Sequence, residues 1–330
     1  MGIFKLYADI ARHLHRNPHL LQTAKLEELC TVYVPYAYVG NRRSLKDFLE
    51  RNITYLPQER FPEALREASN REKVLWWIGG NSYFTDSGAF PDFVLAWQGT
   101  GAIGDGALLE LKDSTGQGIA SFNSTLPTAR KRLSSLSSMV REMISRVDQG
   151  PDERDCFYLI RTMRNSPIHV RLSLVHGAFF ETLPTPEVLK SLWRAVFNQA
   201  QVPPALQEEI LLYLSTLERS EIAQTRSIPK SSIKPRLRIM SEIHSEGNPH
   251  LYPEILPTSF HLIVKPPEGN ASIEWLVREF AKEEVKLVKA ADNKVLLDDI
   301  KLEYFSLYHK RNGLHIGVRY RISSSNSEGK

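Results

Sequence analysis

Two short apolar runs, FVLAW at 93–97 and ALLEL at 107–111, flank the nine residues QGTGAIGDG, four of which are glycine. Runs this short suit strands better than helices, and glycine at this density supplies the turning backbone of a connection. The stretch therefore predicts two antiparallel strands joined by a loop. Such a ribbon cannot stand alone: its apolar face must be covered by helices or by another sheet.

The flanking sequence provides that cover. Residues 3–53 read as helical, and FPEALREASNREKVLWWIGG (61–80) continues so, with Pro62 suited to a first turn and Gly79-Gly80 to a stop. Between Thr125 and Val147 the apolar residues Leu133, Leu136, Val140, Met143 and Val147 recur at three and four, the spacing of an amphipathic helix. DCFYLIRTM (155–163) and IHVRLSLVHG (168–177) read as strands, and 185–199 and 204–218 as helices. In IHVRLSLVHG the alternation sets His169, Arg171 and Ser173 on one face, expected to be wet. The expected fold is α/β of the α+β kind, a central mixed β-sheet flanked by helices.

Residues 220–237, SEIAQTRSIPKSSIKPRL, are polar, basic and twice interrupted by proline, the composition of a connector. Beyond it come HLIVK, a helix around SIEWLVREFA, and a closing hairpin in which KLEYFSLYHK and LHIGVRYRI flank Arg311-Asn312-Gly313. The division that follows is an N-terminal helical segment at 1–60, a core at 61–220, and a C-terminal α+β unit at 221–330. That last unit is either separate or an extension of the first sheet.

With 42% hydrophobic and 24% charged residues, the chain has a globular composition. Its 42 Lys and Arg against 38 Asp and Glu leave only a small basic excess, so a polyanionic partner must be met by a local patch. The N-terminus lacks the long apolar core of a signal peptide or membrane span, and Leu6 breaks a myristoylation motif. A cytoplasmic location without membrane partners is expected. Cys30 and Cys156, far apart and without a CxxC partner, read as buried thiols.

The hairpin carries acids and a lysine in a definite pattern. Antiparallel pairing brings Asp92, at the head of one strand, toward Glu110, near the end of the other. Side chains alternate along a strand, so Glu110 and Lys112 share a face and Leu111 points into the core. Two carboxylates close together repel unless a cation relieves them, and oxygen ligands with open positions suit Mg2+. The other reading is an ion-pair cluster at a hairpin end.

Pro91-Asp92 followed by Glu110-Leu111-Lys112 resembles the PD-(D/E)xK nuclease superfamily over residues 63–176, including its order of helix, hairpin, helix, strand. The resemblance implies a restriction-endonuclease-like core in which Asp92 and Glu110 hold Mg2+ and Lys112 assists the attacking water. An acid of the preceding helix often joins them in that family. Glu63 or Glu67 is the candidate here, with Glu50, Glu59 and Glu72 also available. A stand-alone type II restriction endonuclease is the activity implied, with double-stranded DNA as substrate, a homodimer as the working form, and a cognate DNA methyltransferase as genetic partner. The alternatives are a repair or junction-resolving nuclease of the same fold, and a DNA-binding protein without catalysis.

Several segments are candidates to hold the DNA. Ser121, Asn123 and Ser124 offer hydrogen bonds to phosphate or base edges, or build ordinary turns. Arg130, Lys131 and Arg132 fall in the opening turns of the expected 125–147 helix, where the dipole disfavours cations unless an anion joins them. Either DNA phosphate or acids elsewhere in the chain can serve. On the last strand His315, Arg319 and Arg321 make a basic stripe that, with Lys230, Lys234, Arg236 and Arg238, either covers phosphate or guards a sheet edge. No HExxH, GxSxG or GxxxxGK[ST] motif is present, and the glycines of QGTGAIGDG precede a strand rather than a helix, which weighs against zinc-hydrolase, esterase and nucleotide-binding readings.

Overall fold

The structure, a computed structural model, describes residues 2–24, 26–31, 36–38, 90–95, 97–119, 121–123, 127–136, 141, 144–145, 149–163, 169–181, 185–216, 240–290 and 293–322. Helix α1 spans Ile3–Arg16, α2 Leu20–Thr23 and α3 Leu26–Thr31. Strands β1 (Tyr36–Tyr38), β2 (Phe93–Leu95) and β3 (Leu108–Ser114) follow. Then come β4 (Ser121–Asn123), β5 (Arg130–Arg132), β6 (Glu153–Thr162) and β7 (Arg171–His176). Helices α4 (Thr185–Gln199) and α5 (Pro204–Thr216) lead to β8 (Met240–Glu242), β9 (Ser259–Val264) and α6 (Ile273–Lys282). Strands β10 (Leu287–Lys289), β11 (Lys294–Leu297), β12 (Ile300–His309) and β13 (Gly313–Arg321) close the chain.

The expected α+β class with a mixed central sheet flanked by helices is what the chain adopts. Eleven strands form one sheet in the order β1-β2-β3-β6-β7-β9-β13-β12-β11-β10, with β5 also paired to β6. The β3–β6 and β7–β9 pairs are parallel and the rest antiparallel. The predicted hairpin is present, Phe93 opposite Leu109 and Val94 opposite Leu108. The C-terminal residues continue this sheet, since β9 adds to β7 in parallel.

Alternation sorts the two faces. One face, including Leu109, Phe157, Leu172, Leu174, Phe260, Leu262 and Val318, is covered by α1 and α6. The N-terminal helix thus packs on the C-terminal strands. Tyr7 stacks on Phe260 with centroids 4.5 Å apart, and its hydroxyl donates to the Phe260 and Val318 carbonyls at 3.3 and 3.4 Å. The other face, with Leu108, Tyr158, Ile160, Val175, Ile263 and Leu307, packs on Phe122, Leu136, Ile144, Phe179 and Phe180.

The glycine-rich loop is pinned rather than loose. Asp105 accepts from the Gln98 and Thr100 amides at 2.9 and 2.7 Å, and the Gly104 amide donates to Asp155 at 2.8 Å. Gly104 has φ +78°, and a Cβ there would meet Ile3 and Phe157 at 2.7 and 2.9 Å, so only glycine fits. The closing hairpin forms as expected, with His309 opposite Gly313. His309 Nδ1 accepts from the Arg311 and Asn312 amides across the turn. Both cysteines are buried thiols.

Four expectations are corrected. Within the expected 3–53 helical stretch, Tyr36–Tyr38 is a strand paired with β2, because the run YAYV of aromatic and β-branched residues favours an extended edge, and residues 32–35 and 39–53 lie outside the described residues. Within the expected 125–147 helix, Arg130–Arg132 is a strand followed by a 3-10 turn at Leu133–Ser135, while Arg141, Ile144 and Ser145 are helical as expected. Pairing with β6 sets Arg130 between the carboxylates of Glu153 and Asp155, a cross-strand match that outweighs helical periodicity. Strand β7 has no wet face: β6 and β9 flank it, Ser173 is buried against His250 at 2.9 Å, and Arg171 donates to the Ile255 carbonyl. Strand β13 lies between β9 and β12 and is not a sheet edge. The 61–80 helix and the 220–237 connector lie outside the described residues.

Buried ionisable groups make the fold pH-sensitive in opposite directions. Burial lowers His176 and His315 from 6.5 to about 4 and His261 to about 3. Their stabilising share is complete above 6.5 and is lost as pH falls through that value toward 4, on the order of 1 kcal/mol per histidine per pH unit. Glu283, which caps α1 by accepting the Lys5 amide at 2.9 Å, is raised by burial from 4.5 to about 7. Its share is complete below 4.5 and is lost as pH rises through 7. Urea unfolding is expected to show a midpoint that drops between pH 6.5 and 5. In the same measurement Glu283→Gln gains on wild type as pH rises from 4.5 to 7.

Candidate active site

The β2–β3 register continued by one step sets Asp92 opposite Glu110. Asp92 Oδ2 accepts the Leu111 amide at 2.8 Å, which fixes that carboxylate at the end of the ribbon. Lys112 Nζ donates to Glu110 Oε1 at 2.8 Å, both side chains being mostly buried. Leu111 packs on the opposite face, as alternation requires. The structure therefore brings Asp92, Glu110 and Lys112 together at the ribbon's mouth. Glu63 and the other upstream candidates lie outside the described residues.

Strand β3 has two chemical faces. Beyond the Leu109 and Leu111 side, Asp113 pairs with Arg161 at 2.5 Å, and Arg161 also donates to the Leu21 and Ala24 carbonyls, which ties α2 to the sheet. The Glu110 and Lys112 side faces aromatic rings. Lys112 Nζ lies 5.9 Å from the Phe122 centroid, and Tyr158 of β6 is the register partner of Glu110. Glu110 Oε2 is buried and has no hydrogen-bond partner. Among the described residues no group of three or more His, Cys, Asp or Glu side chains is gathered to hold a metal.

The expected DNA contacts divide. Arg130 pairs with Glu153 at 2.9 Å and Asp155 at 3.2 Å, so the chain's own acids supply its counter-charge. Lys131 sits over the Phe90 ring at 4.5 Å, next to Pro91-Asp92. That placement comes from a strand, not from a helix start. Arg132 is exposed. Ser121 and Asn123 form β4 against β8, and Ser124 lies outside the described residues. Arg319 donates to Glu303 at 2.7 Å and to the Glu254 carbonyl at 3.0 Å, and Arg321 to Glu303 at 3.1 Å. His315 is buried, so the basic stripe is partly internal.

Sequence reasoning missed Tyr158, Phe90 and Phe122 as neighbours of the acids. Alternation in DCFYLIRTM marks Tyr158's face, but the partner strand needed a parallel β3–β6 pairing that local sequence does not encode. Burial pushes the Tyr158 hydroxyl well above its ordinary value and the Cys156 thiol up to about 12, so both stay protonated at neutral pH.

No family model, curated protein or solved structure matches the chain. Removing Lys112 alone leaves a mostly buried carboxylate without its cation. Lys112→Ala is expected to lower stability in urea by about 1–3 kcal/mol, and Glu110→Gln with Lys112→Met to recover most of it.

Proposed function

We propose that the chain is a Mg2+-dependent endodeoxyribonuclease hydrolysing double-stranded DNA, of the type II restriction kind, with residues 61–220 as a restriction-endonuclease-like core. The observation that carries this reading is the cross-strand placement of Asp92 against Glu110 with Lys112 tied to the same carboxylate. The mixed sheet with flanking helices agrees with it at the level of fold class.

The donor set fits Mg2+: two carboxylates on one face leave positions for waters and phosphate oxygens, and the buried Glu110 Oε2 has no partner of its own. Bound there, the ion supplies Lewis acidity toward the phosphate and the attacking water. Asp92 contributes a carboxylate whose orientation is set by the Leu111 amide. Lys112 holds Glu110 in place, donates a hydrogen bond that orients the water, and offsets negative charge growing on the phosphate. Lys131, which lies over the Phe90 ring beside Pro91-Asp92, supports a phosphate-backbone contact next to the acids under this reading. Under this reading the partners are duplex DNA, a second copy of the chain matching a palindromic site, and a methyltransferase that protects it.

Incubation of supercoiled plasmid with the protein and Mg2+ is expected to give discrete linear fragments, and chelation to stop it. Asp92→Ala, Glu110→Ala and Lys112→Ala should each slow cleavage by roughly a hundredfold or more while leaving DNA binding in place. Intact plasmid with wild type and Mg2+, but with binding retained, sinks the enzyme reading in favour of a DNA-binding protein. Preference for branched over linear duplex favours the junction-resolving alternative.

A further inference from the structure

Lys112 is held from two sides. On one, its Nζ donates to Glu110 Oε1 at 2.8 Å, and on the other it stands over the Phe122 ring, 5.9 Å from the centroid. The lysine side chain is only 19% exposed, so its charge is largely out of water, where a ring face counts for more than at an open surface. Phe122 is itself fixed. Strand β4 carries it and pairs with β8, Phe122 opposite Ser241, and the buried ring meets Tyr158 and Phe180 edge to face with centroids 5.0 Å away in each case. A ring packed in this way has little freedom to move when the lysine does.

The two anchors differ in what they leave over. The ion pair takes an N–H of the ammonium and an oxygen of Glu110, and that carboxylate has a second task if it is to hold a cation. A ring face attracts the ammonium through its quadrupole and needs no single N–H aimed at an acceptor. The lysine's remaining donors therefore stay available to a water or a phosphate oxygen.

We propose, on the basis of the nuclease reading above, that Phe122 is a positioning residue for Lys112: its ring keeps the ammonium at the mouth of the ribbon, including when Glu110 is engaged by a cation. Being buried, Phe122 touches neither substrate nor metal. It acts through the lysine alone. The β4–β8 ribbon is the wall that holds it, so β8, far along the chain from the acids, has a share in the site.

Replacing Phe122 by 3,4,5-trifluorophenylalanine nearly keeps the shape of the ring and drains its negative face. Without metal or DNA, acylation of Lys112 by acetic anhydride, read by mass spectrometry, should then quicken by roughly threefold. Phe122→Leu, which removes the ring altogether, should quicken it at least as much. In cleavage assays the fluorinated protein should lose kcat by a similar factor at an unchanged KM for DNA. A ring that serves packing alone predicts no change at Lys112 on fluorination. Unchanged acylation in the fluorinated protein therefore overturns the inference, whatever the cleavage result, and so does quickened acylation with kcat unaltered in a protein that cuts DNA. Quickened acylation where wild type never cuts DNA supports the hold on Lys112 and overturns the nuclease reading, so the two failures are distinct. Should Phe122→Leu not fold, the fluorinated protein carries the test by itself.

Discussion

A slip of β2 by one residue against β3 would turn Asp92 to the opposite side of the sheet, because side chains alternate along a strand. The Phe93–Leu109 and Val94–Leu108 pairs, together with the Leu111 amide bonded to Asp92, prevent it. Behind them stands the loop, where Asp105 gathers two amides and Gly104 is wedged against Ile3 and Phe157. The glycine-rich segment fixes register by being crowded. Strand β3 is also held on its other edge by seven parallel pairings with β6. The placement of two acids and a lysine at one mouth follows from these contacts.

The two sides of β3 then divide the labour of the chain. Asp113 is spent on Arg161, whose remaining donors reach the carbonyls of Leu21 and Ala24, so this acid and this arginine hold α2 to the sheet. Glu110 and Lys112 face the other way, among Phe122 and Tyr158, where burial strengthens electrostatics and an unmatched oxygen remains. The same separation holds in β13, whose Arg319 is bound to Glu303 and the Glu254 carbonyl. A cation so engaged serves the fold first.

Much of this was legible in the sequence where the signal was local. The apolar runs FVLAW and ALLEL around their glycine-rich loop and the Asn-Gly at 312–313 each set an element by themselves. The convergence of Asp92, Glu110 and Lys112 was legible for the same reason, since a hairpin is a local structure. What escaped depends on distant partners. Arg130–Arg132 looked helical until pairing with β6 set Arg130 between Glu153 and Asp155, and Ser173 looked wet until His250 arrived from 77 residues away. Tyr158 escaped because parallel pairing joins strands that have no turn between them.

Crystals soaked in manganese and measured for anomalous scattering test the central claim most directly, since Mn2+ takes the oxygen ligands that Mg2+ takes and can be located by its own signal. The account predicts a peak between the Asp92 and Glu110 carboxylates that vanishes in Glu110→Ala. Manganese bound elsewhere, or nowhere, with both carboxylates left as they stand, would contradict it.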